Sequence, residues 1–363
     1  MYFEMFFLFV ISALGTLIIT PLVIRTAIRY KILDYPNERK VHDHPIPRIG
    51  GASLYIVFSM VSILYISLIG RVRASFNFSS KYWITLGIGA TIVFLLGLYD
   101  DIKHAPIWIK FSFQIIAALI PMTFGGVLIQ AMGIPVVGLI PIGWLAYPLT
   151  VLWIVGVTNA FNLIDGLDGL AGGIGLIATA TIFGIALLTK GKPQLALVTA
   201  ALSGALLGFY RYNRHPAKIF LGDCGSMFIG YTLSILAIVG NYKKTTAMAL
   251  LMPVLIIGVP VFDTLFTMGL RLFKKVAYDK RFNISAFRSM FQADRSHVHH
   301  ILMDKGYTHR RSVNVLFGFS FLLAFFAFFA ALTQNGLISS ILIIIGIVGY
   351  IALRLHRYTN STY

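Results

Sequence analysis

Between Asn159 and Gly173 the chain reads NAFNLIDGLDGLAGG, with Asn159, Asn162, Asp165 and Asp168 recurring every third residue. Side chains at that spacing fall roughly along one face of a helix. Carboxylates and amides presenting oxygen are what a hard cation such as Mg²⁺ accepts. Gly166, Gly169, Gly172 and Gly173 let backbone or ligand come close. A capped turn between two helices uses the same residue types. It accounts for one Asn-Asp-Gly group, but not for two Asn and two Asp in register.

Four further stretches carry related chemistry. DYPNERKVHDHPIPRIGG, residues 34–51, offers Arg39, Lys40 and Arg48 to phosphate oxygens. GLYDD ends in Asp100 and Asp101 and is followed by Lys110 and Gln114. Adjacent carboxylates repel, so a cation or a donor is expected to hold both ionised. In FLGDCGSMFIG, Asp223 opens a helix whose first amides favour anions, and Phe220 offers a platform for a stacked base. DRSHVHH supplies Asp294, Arg295, His297, His299 and His300. Imidazoles at this density suit zinc, or, beside so many Arg and Lys, donation to phosphate or sugar. Ordinary roles compete at each place: topology signals, capped helix ends, interfacial anchors or a solvated basic hairpin.

The elements that must position these residues follow from composition. The chain has 363 residues, 58% of them apolar and only 12% charged, an excess that a water-soluble surface cannot cover. It is expected to be an all-α polytopic membrane protein. Apolar runs mark eleven spans, near 3–24, 50–69, 82–99, 112–131, 143–161, 169–189, 194–210, 226–241, 246–270, 313–332 and 336–353. The first opens with Glu4 and lacks a small-residue cleavage site, so it is expected to stay as a helix. A single cysteine, Cys224, excludes an internal disulfide framework.

Eleven crossings place loops 25–49, 100–111, 162–168, 211–225 and 271–312 and the C-terminal tail on one face. That face holds 23 of the 30 Lys and Arg, which predicts that it is cytoplasmic, with the N-terminus outside and the C-terminus inside. The net charge of +17 then reports topology and attraction to anionic lipid. No base-reading module accompanies it, so no nucleic-acid partner is expected. Eleven of the thirteen acidic residues also lie in these stretches, Glu4 and Asp263 being the exceptions. A transporter of lipid or nucleotide-sugar, the main alternative class, would carry polar groups through the midplane.

PRIGG, GLYDD, NAFNLIDGLDGLAGG, FLGDCGSMFIG and HVHHILMDKG stand in this order between Asp34 and Gly306. Together they resemble the polyprenyl-phosphate N-acetylhexosamine-1-phosphate transferases of glycosyltransferase family 4. HVHH is closer to the WecA/TagO branch than to MraY, whose phospho-N-acetylmuramoyl-pentapeptide transfer is the nearest alternative activity. The resemblance implies one integral-membrane transferase domain over residues 1–363, with an active site built from the cytoplasmic loops. It implies Mg²⁺ as cofactor, with Mn²⁺ as a substitute, and a bacterial inner-membrane location. The reaction it implies moves N-acetylglucosamine-1-phosphate from UDP-N-acetylglucosamine to undecaprenyl phosphate and releases UMP, opening a cell-envelope glycan pathway such as O-antigen or teichoic acid.

Roles carried over by the resemblance make Asp223 the principal metal ligand, with Asn162 beside it. Asp100 and Asp101 match the carboxylates next to the acceptor phosphate, and Lys110 the nearby cation. Asp168 and Phe220 match residues that grip the uracil. Arg295, His297, His299 and His300 match the loop closing over sugar and diphosphate. Arg48, Asn159 and Asp165 are grouped with substrate binding. Asp263, in VPVFDTL, has no derivable catalytic role and is expected to support packing or a neighbouring site residue. Gly87, Gly89, Gly204 and Gly208 offer close helix contacts that would suit a homodimer.

A lipid phosphate is largely dianionic at pH 7, with a second pKa near ~6. It needs positioning and charge neutralisation more than deprotonation. Direct attack on the sugar-bearing phosphorus is therefore favoured over a route through an aspartyl intermediate.

Overall fold

The computed structural model describes residues 1–36, 44–68, 80–134, 138–189, 193–240, 253–279, 281, 289–290, 296–333 and 335–355. Among them eleven helices run 17 residues or longer. They are α1 (Tyr2–Arg29), α2 (Gly51–Leu68), α3 (Ser80–Lys103), α4 (Ile107–Thr123), α5 (Ala146–Ile164), α6 (Leu170–Thr189), α7 (Pro193–Asn213), α8 (Gly222–Val239), α9 (Gly258–Asp279), α11 (His309–Thr333) and α12 (Gly336–Leu355); the short α10 is Val298–Asp304. Eight are long and apolar enough to cross a membrane, while residues 51–65 and α4 form shorter apolar helices. In lipid every backbone N–H and C=O must find its partner within the protein, which an apolar run achieves by coiling. The chain is an all-α polytopic membrane protein.

Several buried threonine hydroxyls are satisfied in the same way. Thr16, Thr150, Thr158, Thr179 and Thr199 each donate to the carbonyl four residues back in their own helix. α7 and α8 occupy the centre, with α1 and α6 against α7, and α3 and α5 against α8. α11 packs on α6, and α12 on α11. α1 and α12 keep exposed apolar flanks, including Phe6, Ile18, Ile341, Ile344 and Val348, as a lipid-facing surface requires.

Several boundaries differ from the expectation. The span set at 112–131 is α4, ending at Thr123; the chain then turns into an antiparallel hairpin rather than helix, pairing residues 131–134 with 138–141. A second two-stranded pair joins Leu33–Asp34 to Ile46–Pro47. Asp100 and Asp101 sit in the last turn of α3, Lys110 in the first turn of α4, Asn162 within α5 and Asp223 within α8. The intervening loops are correspondingly shorter. Hydropathy locates the lipid core, whereas a helix continues until its hydrogen bonding is interrupted. α9 runs to Asp279, well past 270, and residues 246–252 of that expected span lie outside the described residues. So do Arg39, Lys40, Asp294 and Arg295.

The candidate dimer glycines are mostly occupied inside the chain. A Cβ on Gly204 or Gly208 would stand 2.1 Å from the carbonyl of Phe9 or 2.4 Å from that of Ala13, so α1 and α7 touch backbone to backbone. Gly89 faces Tyr231 in the same way, and only Gly87 of the four has open space. Gly204→Leu is expected to destabilise the bundle by about 1–3 kcal/mol through overpacking. The unfolding temperature of the purified protein in detergent should drop accordingly, with Gly87→Ala as the unaffected control.

Candidate active site

Three of the glycine-containing motifs meet at the start of α8. A Cβ on Gly51 of PRIGG would lie 2.2 Å from Cα of Gly225, and one on Gly97 of GLYDD 2.5 Å from Cα of Cys224. Gly222 takes φ +73, and a Cβ there would meet the Arg48 carbonyl at 1.9 Å. The backbone pairs as closely: Phe220 N donates to Pro47 O at 2.8 Å, Gly50 N to Phe220 O at 2.9 Å and Gly51 N to Leu221 O at 2.8 Å. Without side chains in the way, three separate segments converge on one helix end.

The first amides of a helix have no partner within it. No α8 side chain caps this end; Asp101 does so from α3. Its Oδ1 accepts from Asp223 N at 3.0 Å and its Oδ2 from Cys224 N at 3.0 Å. Arg48 adds Nε at 3.3 Å and Nη2 at 3.2 Å to the same Oδ1. With four donors and almost no exposure, Asp101 holds the site together, and its oxygens are already taken.

Asp100 points the other way. Its Oδ1 accepts from Ala105 N at 2.6 Å, and its Oδ2 meets Lys110 Nζ at 2.5 Å. The same ammonium lies 2.8 Å from Asp223 Oδ2. Lys110 is thus a cation clasped by two carboxylates drawn from different helices. Asn162 adjoins Asp223 and donates to Ser226 Oγ at 3.1 Å. One turn back, Asn159 and Gln114 exchange amide hydrogen bonds of 2.6 and 3.4 Å, which tie α5 to α4.

The four evenly spaced residues do not stay on one helical face. α5 ends at Ile164, so Asn159 and Asn162 are helical while Asp165 and Asp168 lie in the turn into α6. Asp165 receives no hydrogen bond to its carboxyl among the described residues. Desolvation, then the charges of Asp223, Asp101 and Asp168, push that carboxyl well above the usual range. Asp168 turns outward, accepting from His215 Nδ1 at 2.8 Å and Ala217 N at 3.1 Å. His309 completes a group with these two whose ligand atoms lie within 4.8 Å of one another. The His215 and His309 rings are stacked at 4.3 Å and 19°, so one ion cannot lie in both ring planes. Beside this group opens a cavity of about 500 Å³ lined by Asp168, Tyr210, Arg211, Arg214, His215, Pro216, Lys218, Arg310, Val313 and Asn314. Phe220 is half-buried on the strand-like segment beside PRIGG.

The histidines of HVHH take three different environments rather than forming a zinc site. His297 Nδ1 meets Asp263 Oδ2 at 2.7 Å. His299 is buried against Gly166, where a Cβ would stand 2.5 Å from its Nε2; this contact joins the histidine segment to the Asn-Asp motif. His300 tilts against His299 with ring centroids 4.2 Å apart. Burial first, then the neighbouring imidazole of His300, pull His299 down to about 3, so it is neutral at pH 7. Tyr350, Arg354, His215 and His309 belong to no motif, so their spacing along the chain does not single them out.

Helix ends that gather carboxylates, amides, an ammonium and a guanidinium at one edge of an apolar bundle are the architecture of a membrane-embedded transferase. The family model described as glycosyl transferase family 4 matches residues 83–241. A probable undecaprenyl-phosphate N-acetylglucosaminyl 1-phosphate transferase of Bacillus subtilis is 41% identical over 316 residues, covering 86% of this chain and 81% of that protein. A decaprenyl-phosphate N-acetylglucosaminephosphotransferase of Mycolicibacterium smegmatis is 33% identical over 89% of this chain and 82% of its own. An undecaprenyl-phosphate alpha-N-acetylglucosaminyl 1-phosphate transferase of Escherichia coli K12 is 30% identical, with 79% and 73% covered. The chain belongs to glycosyl transferase family 4.

Two outcomes follow from this geometry. Asp101→Ala leaves two buried amides and Arg48 without their acceptor and is expected to cost about 1–3 kcal/mol of stability, read as a lower unfolding temperature in detergent. His299 accepts a proton near 6.5 when unfolded but only near 3 when folded. Its contribution is therefore fully present above pH 6.5 and is lost as pH falls toward 3. His299→Gln should flatten the decline in unfolding temperature between pH 7 and pH 4.5; an unchanged slope would contradict the assignment.

Proposed function

We propose that the chain transfers N-acetylglucosamine-1-phosphate, or a related N-acetylhexosamine-1-phosphate, from the UDP-sugar to undecaprenyl phosphate, giving the lipid-diphosphate-sugar and UMP. The reading rests on kinship to the transferases above, and above all on the Asp100–Lys110–Asp223 bridge. Two carboxylates that close a cation between them at a membrane edge suit phosphoryl transfer, which needs positioned charge more than covalent chemistry.

The donor set fits Mg²⁺. Asp100, Asp223 and Asn162 present oxygen, the ammonium of Lys110 sits between two of these carboxylates, and Asp165 has no donor among the described residues. Mn²⁺ accepts the same oxygens. When bound, the ion supplies Lewis-acid neutralisation of the diphosphate. The chain's own residues do the rest. Lys110 and Arg48 bring positive charge to the phosphates, and Asp100 orients the acceptor and takes any residual proton. Asp101 holds the amides of α8 in place. Asp168 and the basic cavity beside it, with Arg211, Arg214, Lys218 and Arg310, suit a uracil and its anionic diphosphate.

Direct attack by the lipid phosphate is favoured. Asp100 is held by Ala105 N and Lys110, and Asp101 by four donors, which blunts either as a nucleophile. The site faces the cytoplasm of a bacterial inner membrane, the N-terminus lies outside and the C-terminus inside. What supports this is the bias of Lys and Arg toward one set of loops when the apolar runs are read as eleven crossings.

Purified protein given radiolabelled UDP-N-acetylglucosamine and undecaprenyl phosphate should release UMP, stop with EDTA and recover with Mg²⁺. Movement of nucleotide-sugar into vesicles without UMP would sink the proposal. Asp100→Asn is expected to cut kcat by about 10²- to 10³-fold. Substantial turnover in that variant would exclude an acyl-phosphate intermediate at Asp100.

A further inference from the structure

Asp263 lies in α9 with no exposed surface, away from the carboxylates that would handle phosphate. A bare carboxylate in such a place is costly unless it is paired and hydrogen-bonded. Here it is saturated. Oδ2 faces His297 Nδ1 at 2.7 Å, while Oδ1 accepts from Val298 N at 2.9 Å, Tyr350 O–H at 2.6 Å and Arg354 Nη1 at 3.2 Å. Arg354 extends the same grip. Nη1 also reaches Thr267 Oγ1 at 3.0 Å, and Nη2 donates to the Ser296 carbonyl at 2.5 Å. The guanidinium plane lies over the Phe266 ring, 4.7 Å from its centroid.

We propose that Arg354, on the last helix of the chain, is a positioning residue that fixes the histidine segment 296–300 over the carboxylate cluster. The inference rests on the transferase reading of that cluster. Three physical points carry it. Arg354 Nη1 and His297 Nδ1 pair with the two different oxygens of Asp263, so the imidazole is held with Nδ1 on that carboxylate and Nε2 turned away from it. Asp263 caps the start of α10 through Val298 N, and Arg354 holds the carbonyl just before it, so both sides of His297 are pinned. His299, two residues on, closes against Gly166 beside Asp165. The chain of contacts from Arg354 to the Asn-Asp motif is continuous, and among the described residues Arg354 touches no candidate phosphate ligand.

A planar fork is needed, because one group must serve a carboxylate and a carbonyl at once. Lysine offers a point charge and can serve only one of them well. The test compares wild type, Arg354→Gln, Arg354→Lys and Tyr350→Phe, all full length in detergent. Arg354→Gln is expected to lower kcat by about 10- to 100-fold through misplacement of the segment, while KM for undecaprenyl phosphate moves by less than about twofold. Arg354→Lys should recover part of kcat, and Tyr350→Phe should lose less than Arg354→Gln. Hydrogen–deuterium exchange should rise in residues 296–304 of Arg354→Gln and stay unchanged in α8. Wild-type kcat and exchange in Arg354→Gln would overturn the proposal. So would faster exchange across α8 together with parallel losses in kcat and KM, since that would report general unfolding. If wild type itself transfers no sugar phosphate, the transferase reading fails, whereas the exchange measurement still decides whether Arg354 holds the segment.

Discussion

The first amides of every helix lack partners within it, and at the edge of a bilayer water is a scarce substitute. This protein meets the demand from elsewhere in the chain. Asp101 of α3 receives the opening amides of α8, and Asp263 of α9 receives the opening amide of α10. Each carboxylate is fixed by an arginine, Arg48 in one case and Arg354 in the other. The proposed catalytic surface therefore hangs on two capping carboxylates.

Charge pairing extends the same logic. Asp100 and Asp223 share Lys110 while Asp101 takes Arg48, so two cations serve three carboxylates at the acidic edge of the bundle. Asp165 is the exception among these carboxylates: desolvated, close to other acids and without a donor among the described residues. An edge built this way attracts further positive charge, which is the property a magnesium-dependent phosphoryl transfer requires.

Glycine is what allows such density. Gly51, Gly97 and Gly222 admit backbone where any Cβ would collide, and Gly166 admits an imidazole. In the sequence these glycines look like turn punctuation. In the fold they are contact surfaces, because the distance between neighbouring segments at the α8 start is set by main chain and not by side chains. The same device joins α1 to α7, where Gly204 and Gly208 meet the carbonyls of Phe9 and Ala13.

The sequence alone determined that the chain is a bundle of apolar helices and which stretches carry its chemistry. Both are local quantities: the length of an apolar run, and the kinds of side chain gathered at its end. It also named Asp100, Lys110, Asn162 and Asp223 as companions. Only the tertiary structure decided what each group is used for. Asp101 became a cap and Asp100 a lysine partner although they are neighbours, because successive helical side chains point about 100° apart. The even spacing of Asn159 to Asp168 suggested one face, but the helix stops between them and Asp168 turns to His215. Arg354 meets Asp263 across 91 positions, and Cys224 meets Asp101 across 123. Pairings over such separations depend on how helices pack, and no run of neighbouring residues encodes them.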